Sequence, residues 1–195
     1  QAQNKADAVA VSLAKSLVWL FGLSSQVSGT PVKGGVLFAA NHISFLDIIV
    51  LHSACAMGFV AKAEIDSWPI FRYVARTGGT IFHHRGCHDS AADVSELMTQ
   101  RIQANKPVTI FPEGGIKPGA KVRIFHARMF RSAVDAGSLV QPVMVRYMRN
   151  GRQDDVVSFR AGENMAVNLL RQLARPASVA EVHFLPAMDA TDQPR

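Results

Sequence analysis

Apolar residues along this chain fall into two rhythms. Short runs closed off by Gly, Pro or polar turns read as buried strands, and longer stretches with apolar positions three and four apart read as helices. The segment 8–23, AVAVSLAKSLVWLFGL, sets Ala10, Leu13, Ala14, Leu17, Leu20 and Phe21 on one helical face, with Ser12, Lys15, Ser16 and Trp19 on the other. A linker over 31–35 leads into a short apolar run, 36–40, which reads as a strand. Helices are then expected over 45–55, 68–75, 90–104, 125–136 and 165–174. Strands are expected at 58–61, 80–82, 108–111, 139–147, 156–159 and 180–185. Strands alternating with helices predict an α/β domain with a mostly parallel central sheet flanked by helices, preceded by an amphipathic N-terminal helix. The organisation expected is an N-terminal segment over 1–30, one domain over 31–188 and a polar tail over 189–195.

Composition narrows the classes. The 195 residues are 48% hydrophobic and 18% charged, enough for one well-filled core and inconsistent with a disordered chain. Two cysteines, Cys55 and Cys87, make no disulfide framework, so a reducing compartment is the default. The formal charge of +6 favours an anionic partner, whether nucleic acid, anionic lipid or a phosphorylated substrate. Between Glu113 and Asp135 lie Lys117, Lys121, Arg123, Arg128 and Arg131 without an acid; a solvated basic face accounts for them equally well. No run reaches the ~18 apolar residues of a spanning helix. The 8–23 segment suits either a helix lying in a membrane interface or an ordinary helix packed on the domain. The chain opens at Gln1 without an initiator Met, leaving room for a further N-terminal piece.

Ligands of parallel sheets bind at the carboxyl ends of the strands. Three stretches with capable side chains fall there. In AANHISFLDIIV, residues 39–50, His42 is a candidate base and Asp47 its orienting carboxylate. Five helical positions are roughly 500° of rotation, so the two meet only if His42 lies in a loop and Asp47 in the first helical turn. Ser44 and Asp47 also form an S-x-x-D capping box, and capping alone explains the pattern. On that basis Asp47→Asn is expected to change stability little while lowering any rate. In GTIFHHRGCHD, residues 79–89, Arg85 suits a bidentate phosphate grip. His83, His84, Cys87, His88 and Asp89 resemble metal ligands, but no second cluster has zinc-like spacing, and surface histidines are the simpler account. In TIFPEGGIKPG, residues 109–119, Pro112 stiffens a turn and Glu113 leaves the strand. Gly114, Gly115 and Gly119 permit close backbone approach or offer N–H groups to an anion. A plain Gly/Pro turn fits as well. No G-x-S-x-G is present, so a serine hydrolase is unsupported.

In this order the stretches resemble the PlsC-like glycerolipid acyltransferases, the lysophosphatidic acid acyltransferase family. Its N-H-x-x-x-x-D motif is matched by Asn41, His42 and Asp47. G-x-[IV]-F-[IV]-x-R is matched by Gly79, Ile81, Phe82 and Arg85, with His83 at a usually aliphatic place. F-P-E-G is matched by Phe111, Pro112, Glu113 and Gly114, with Gly115 following. A final apolar segment is matched by Val140, Pro142 and Val143. The resemblance implies acyl transfer from acyl-CoA or acyl carrier protein to the hydroxyl of a lysolipid. His42 would be general base and Asp47 its partner, with no covalent acyl-enzyme, no metal and no other cofactor. Arg85, Phe111, Pro112, Glu113, Gly114, Gly115 and Lys117 would bind substrate. Backbone N–H groups near Gly114 and Gly115 are a further suggestion for the oxyanion. The resemblance also implies a membrane surface as partner, no nucleic acid, and a peripheral or monotopic place on the inner membrane with the site facing the cytoplasm. One departure bears on the acceptor. Many lysophosphatidic acid enzymes carry Thr-Arg after Glu-Gly, where this chain has Gly115-Ile116. Lys117, Lys121 or Arg123 would have to substitute, or the acceptor is another lysolipid such as a lyso-ornithine lipid. A non-catalytic basic lipid- or nucleic-acid-binding domain and a metal-dependent hydrolase built on 83–89 remain as alternatives.

Overall fold

Strands alternating with helices build three layers, a mixed sheet with helices on both faces. The computed structural model describes residues 2–62, 79–83, 88–116 and 121–191. In chain order the elements are α1 (Ala2–Leu20), β1 (Leu23–Ser28), β2 (Leu37–Ala40), α2 (Leu46–Ala54), β3 (Gly58–Lys62), β4 (Ile81–His83) and α3 (His88–Gln103). Then come β5 (Val108–Ile110), α4 (Arg131–Ala136), β6 (Leu139–Arg149), β7 (Arg152–Gln153), α5 (Met165–Leu173), β8 (Ser178–Phe184) and β9 (Met188–Asp189). The sheet runs β1-β8-β6-β2-β5-β3-β4, with β7 and β9 as short additions to β6. Strands β2 to β6 are mutually parallel, and β8 opposes β6. The carboxyl ends of five strands therefore share one edge.

Side-chain alternation along β2 divides the core. Phe38 and Ala40 join Leu46, Ile49, Val143, Val145 and Val182 on one face, together with Val18 and Phe21 beside α1. Leu37 and Ala39 join Met98, Ile102, Val108, Ile110 and Ala133 on the other, under α3 and α4. Both β2 and β5 are buried at every position, as continuous apolar runs in a doubly covered sheet require. Strand β8 alternates buried and half-buried, because its second face is only partly covered.

Several expectations change. Residues 23–28 form β1, parallel to β8, although only Leu23 is buried; its polar sequence carries no alternation, and pairing alone makes it a strand. The N-terminal segment is thus an integral part of the sheet layer structure. The face that α1 buries is Ala10, Ala14 and Val18, while Leu20 is exposed with Trp19. That stripe packs on α2. Residues 156–159 are not a strand. Asp154 accepts the Val156 N–H with its own carboxylate and starts a 3-10 turn, Asp155–Val157. The helix expected over 125–136 is a 3-10 turn, Ala127–Phe130, followed by α4. Within the tail, Met188–Asp189 pairs with β6. The helix expected over 68–75 lies outside the described residues. Among the described residues no helix is long and apolar enough to cross a membrane.

Two motif residues turn out to hold the sheet together. The α3 residue Arg101 lies against Gly58 and Gly79, where an added Cβ would come within 2.6 and 2.2 Å of its guanidinium. Gly79 therefore makes room at the amino ends of β3 and β4, far from the edge that carries His42. Asn41 ends β2. Its amide donates to the Val145 carbonyl at 2.9 Å and accepts the Val145 N–H at 2.7 Å. A side chain thus continues the β2–β6 ladder while the main chain turns away. Removing that amide leaves two buried backbone groups without partners. Asn41→Ala is expected to lower unfolding stability by about 2–4 kcal/mol, read from the urea midpoint at unchanged m-value. A midpoint that stays in place would show that the ladder does not need the amide.

Candidate functional site

The turn that Asn41 begins carries His42, and α2 starts four residues later with Asp47 in its first turn. The Asp47 carboxylate is fully buried. Its Oδ2 accepts the Ile43 N–H at 2.7 Å, the Ser44 N–H at 2.9 Å and His42 Nδ1 at 2.8 Å. Its Oδ1 accepts the Tyr147 hydroxyl at 2.7 Å. A carboxylate only accepts, so His42 Nδ1 carries the proton and Nε2 holds the lone pair. Among the described residues Nε2 meets no hydrogen-bond partner. The loop-to-helix junction is the geometry that the spacing of His42 and Asp47 demands.

The capping box is present in altered form. Asp47 takes the Ser44 N–H, but Ser44 Oγ accepts the N–H of Leu46, at 3.3 Å, in place of that of Asp47. The N-cap position is Phe45, without a side-chain cap. Ser44 is buried and tied into this turn, so it is no nucleophile for His42. Burial also pushes the Cys55 thiol up to about 12, which keeps it protonated.

The second wall comes from the residues after β5. The Phe111 ring stacks on the imidazole, with centroids 3.8 Å apart and planes 11° from parallel. Phe59 stacks behind it. Pro112 is buried, and its carbonyl accepts the His126 N–H. Glu113 is buried as well. Its Oε1 accepts the backbone N–H of His42 at 2.8 Å, and its Oε2 meets Arg123 through the backbone N–H at 3.2 Å and Nε at 3.1 Å. Arg123 also donates to the Gly115 carbonyl. Glu113 is therefore a brace between the His42 turn and Arg123. Gly114 and Gly115 both take positive φ, +78° and +145°. The Gly114 N–H is bonded to the Phe111 carbonyl, so it is not available to an oxyanion. No hydrogen bond to a described residue engages the Gly115 N–H.

His42, Asp47, Phe111, Pro112, Glu113, Gly114 and Gly115 thus meet at one edge. Arg85 and Lys117 lie outside the described residues, as do the side chains of His83 to Asp89. Among the described residues of the basic stretch, Lys121 and Arg128 are exposed, Arg131 pairs with Asp135, and Arg123 joins the site. Tyr147 is the residue that sequence patterning misses. It lies 100 positions from Asp47. The legible signal is a tyrosine at an inward position of an alternating strand, because a buried phenol needs a partner. Burial, then the Asp47 charge, holds the Tyr147 hydroxyl well above its usual range, so it stays protonated and donates.

All four partners of Asp47 are donors. An amide offers one acceptor and turns a second donor toward a donor, and the charge that strengthens every bond is gone. The expectation that Asp47→Asn changes stability little is therefore replaced: stability should fall by about 2–3 kcal/mol, measured by urea unfolding. An unchanged midpoint would mean that the ionised carboxylate does not organise the turn.

The Acyltransferase family profile matches residues 24–146. The lyso-ornithine lipid O-acyltransferase of Pseudomonas aeruginosa is 34% identical over 160 residues, which cover 82% of this chain and 62% of that protein. The 1-acyl-sn-glycerol-3-phosphate acyltransferase of Neisseria meningitidis is 36% identical over 159 residues, covering 81% and 62% respectively. The chain thus spans 62% of the length of these curated relatives. The crystal structure of the 1-acyl-sn-glycerophosphate acyltransferase PlsC from Thermotoga maritima matches with a TM-score of 0.69 at 19% identity, over 98% of this chain and 72% of that one, and shares its fold. A histidine–aspartate turn at the carboxyl edge of a mostly parallel sheet, inside a profile match that takes in most of the chain, leads to one conclusion: the chain belongs to the Acyltransferase family.

Proposed function

We propose that this chain moves a fatty acyl group from acyl-CoA or acyl carrier protein to the free hydroxyl of a lysolipid, at a membrane surface in phospholipid biosynthesis. The observation that carries the proposal is the His42–Asp47 pair, joined at 2.8 Å through Nδ1, with Nε2 left open among the described residues. His42 Nε2 takes the proton of the acceptor hydroxyl as its oxygen bonds to the thioester carbonyl carbon. Asp47 stabilises the imidazolium that forms. The tetrahedral adduct then collapses, the carbon–sulfur bond breaks, and the imidazolium returns its proton to the departing sulfur. The closed environments of Ser44 and Cys55 favour direct attack over an acyl-enzyme. No metal or cofactor enters this scheme.

The acceptor head group would meet Arg123, held beside His42 by Glu113, together with Arg85 and Lys117. Arg123 stands in for the arginine that many relatives place after Glu-Gly. Its partial neutralisation by Glu113 and the similarity to the Pseudomonas aeruginosa protein give lyso-ornithine lipid a place beside 1-acyl-glycerol-3-phosphate as acceptor. The proposed location is the cytoplasmic face of the inner membrane.

A panel of acyl donors and lysolipids, with products read by mass spectrometry, tests this directly. His42→Ala should abolish transfer while leaving the fold intact by circular dichroism; surviving activity would remove His42 from the mechanism. Tyr147→Phe removes one donor to Asp47 and keeps the ring. It should lower kcat about ten- to a hundred-fold with little change in KM, and shift the acidic limb of the pH–rate profile. An unaltered profile would make Tyr147 a packing residue only.

A further inference from the structure

Helix α5 leaves an apolar stripe exposed. A surface helix normally buries its apolar stripe, yet here the exposed positions are Ala166, Val167, Leu170, Leu173 and Ala174, with Leu170 67% accessible. The fully buried positions are Asn168 and Gln172, flanked by Met165 and Leu169, which pack partly buried against the core. Polar bonds secure the two carboxamides of this inner face. Asn168 donates to Glu163 at 2.7 Å, and Gln172 donates to the Val157 carbonyl and accepts from Arg175 at 2.6 Å. Arg171 grips Glu163 at 2.7 Å and the Ser158 carbonyl at 2.8 Å. Hydrogen bonds and the packing of Met165 and Leu169 together fix the orientation, and they leave Val167, Leu170 and Leu173 facing outward.

Three further observations say what meets that stripe. First, α5 belongs to the catalytic edge: Arg175 pairs with Asp154, whose N–H donates to the carbonyl of Tyr147. Second, α1 ends beside α5. Gly22 lies against Arg175 and Ala177, and its carbonyl accepts the Ser178 N–H. That brings the exposed Trp19 and Leu20 to the end of the helix that exposes Leu173. Third, the surroundings are basic. Arg152 and Arg160 are exposed and carry no ion pair among the described residues, while of the neighbouring acids Asp154 and Glu163 are already paired and Asp155 alone is free.

We propose that the outer stripe of α5, extended by Trp19 and Leu20 and bordered by Arg152 and Arg160, is the surface on which the protein docks to an anionic lipid bilayer. An apolar ridge with cationic borders fits the boundary between acyl chains and negatively charged head groups. It brings the His42 edge to the lipid from which an acceptor is drawn. The proposal rests on the lysolipid acyltransferase reading, and it moves the membrane contact away from the main stripe of α1, which is buried against α2.

The test is sedimentation of the full chain with vesicles of phosphatidylglycerol and phosphatidylethanolamine, with phosphatidylcholine vesicles as the neutral control. The wild type should bind the anionic vesicles. The double variant Leu170→Asp, Leu173→Asp changes only exposed positions, and circular dichroism checks its fold. It should bind at least ten-fold more weakly, since each leucine otherwise enters an apolar phase. Arg152→Ala and Arg160→Ala should each cost about five-fold on anionic vesicles and nothing on neutral ones. Transfer to a short-chain lysolipid below its micellar concentration should persist in all of them. Unchanged vesicle binding in the leucine variant overturns the proposal, as does a wild type that ignores the vesicles. A leucine variant that converts a dimer to a monomer and leaves vesicle binding intact overturns it too, and marks a self-association face. Absence of wild-type transfer to the soluble acceptor counts against the acyltransferase reading separately, with the vesicle result still deciding the surface.

Discussion

A single ionised carboxylate, removed from water, organises the edge that carries His42. Burying such a group is costly unless its lone pairs are filled by donors. Asp47 is filled by four: two backbone N–H groups of its own turn, the imidazole of His42 and the phenol of Tyr147. Each of these donors belongs to a different local problem. The backbone pair sets the path of the turn, the imidazole sets the tautomer of His42, and the phenol joins α2 to β6 across the core. Satisfying one charge therefore fixes a turn, a proton position and a helix-to-strand distance together. That coupling explains why a helix start and a histidine–aspartate pair coexist in the same stretch.

Around this centre, most of the conspicuous polar residues hold other residues in place. Glu113 secures the His42 backbone and Arg123. Asn41 carries the sheet ladder past the end of β2. Gly79 makes room for Arg101 at the opposite end of the strands. Among the described residues His42 Nε2 remains open, on a ring flattened against Phe111. In the proposed role such an imidazole, with a stacked face and a fixed partner, would be preorganised for proton transfer, because little rearrangement is needed when charge develops.

The outer parts follow the same logic of satisfying polar groups first. In α5 the buried carboxamides and the Arg171–Glu163 pair share the inward face with Met165 and Leu169, and Val167, Leu170 and Leu173 are left outside. The Glu163 carboxyl is held down to about 2, chiefly by its bond to Arg171. That contribution to α5 is present above the ordinary carboxylate range and disappears as pH falls towards about 2. Within ordinary working conditions the helix orientation does not titrate away.

By itself the sequence determined the alternation of strands and helices, because burial on both faces leaves continuous apolar runs in β2 and β5 that periodicity makes visible. It also determined that His42 and Asp47 meet only across a loop-to-helix junction, since helical rotation forbids any other contact between them. The PlsC-like resemblance rested on short local stretches, and local stretches are what a chain displays directly. Only the tertiary structure decided which groups complete the site. Tyr147 and Arg123 reach it from distant positions, through pairings that no local spacing encodes. The same holds for β1, a polar segment made a strand by β8, and for residues 156–159, where the Asp154 side chain overrode an apolar run. Hydrophobic periodicity records which face of an element is apolar. Which part of that face points inward depends on partners elsewhere in the chain: in α5, Met165 and Leu169 reach the core beside the bonded carboxamides, and Val167, Leu170 and Leu173 stay outside.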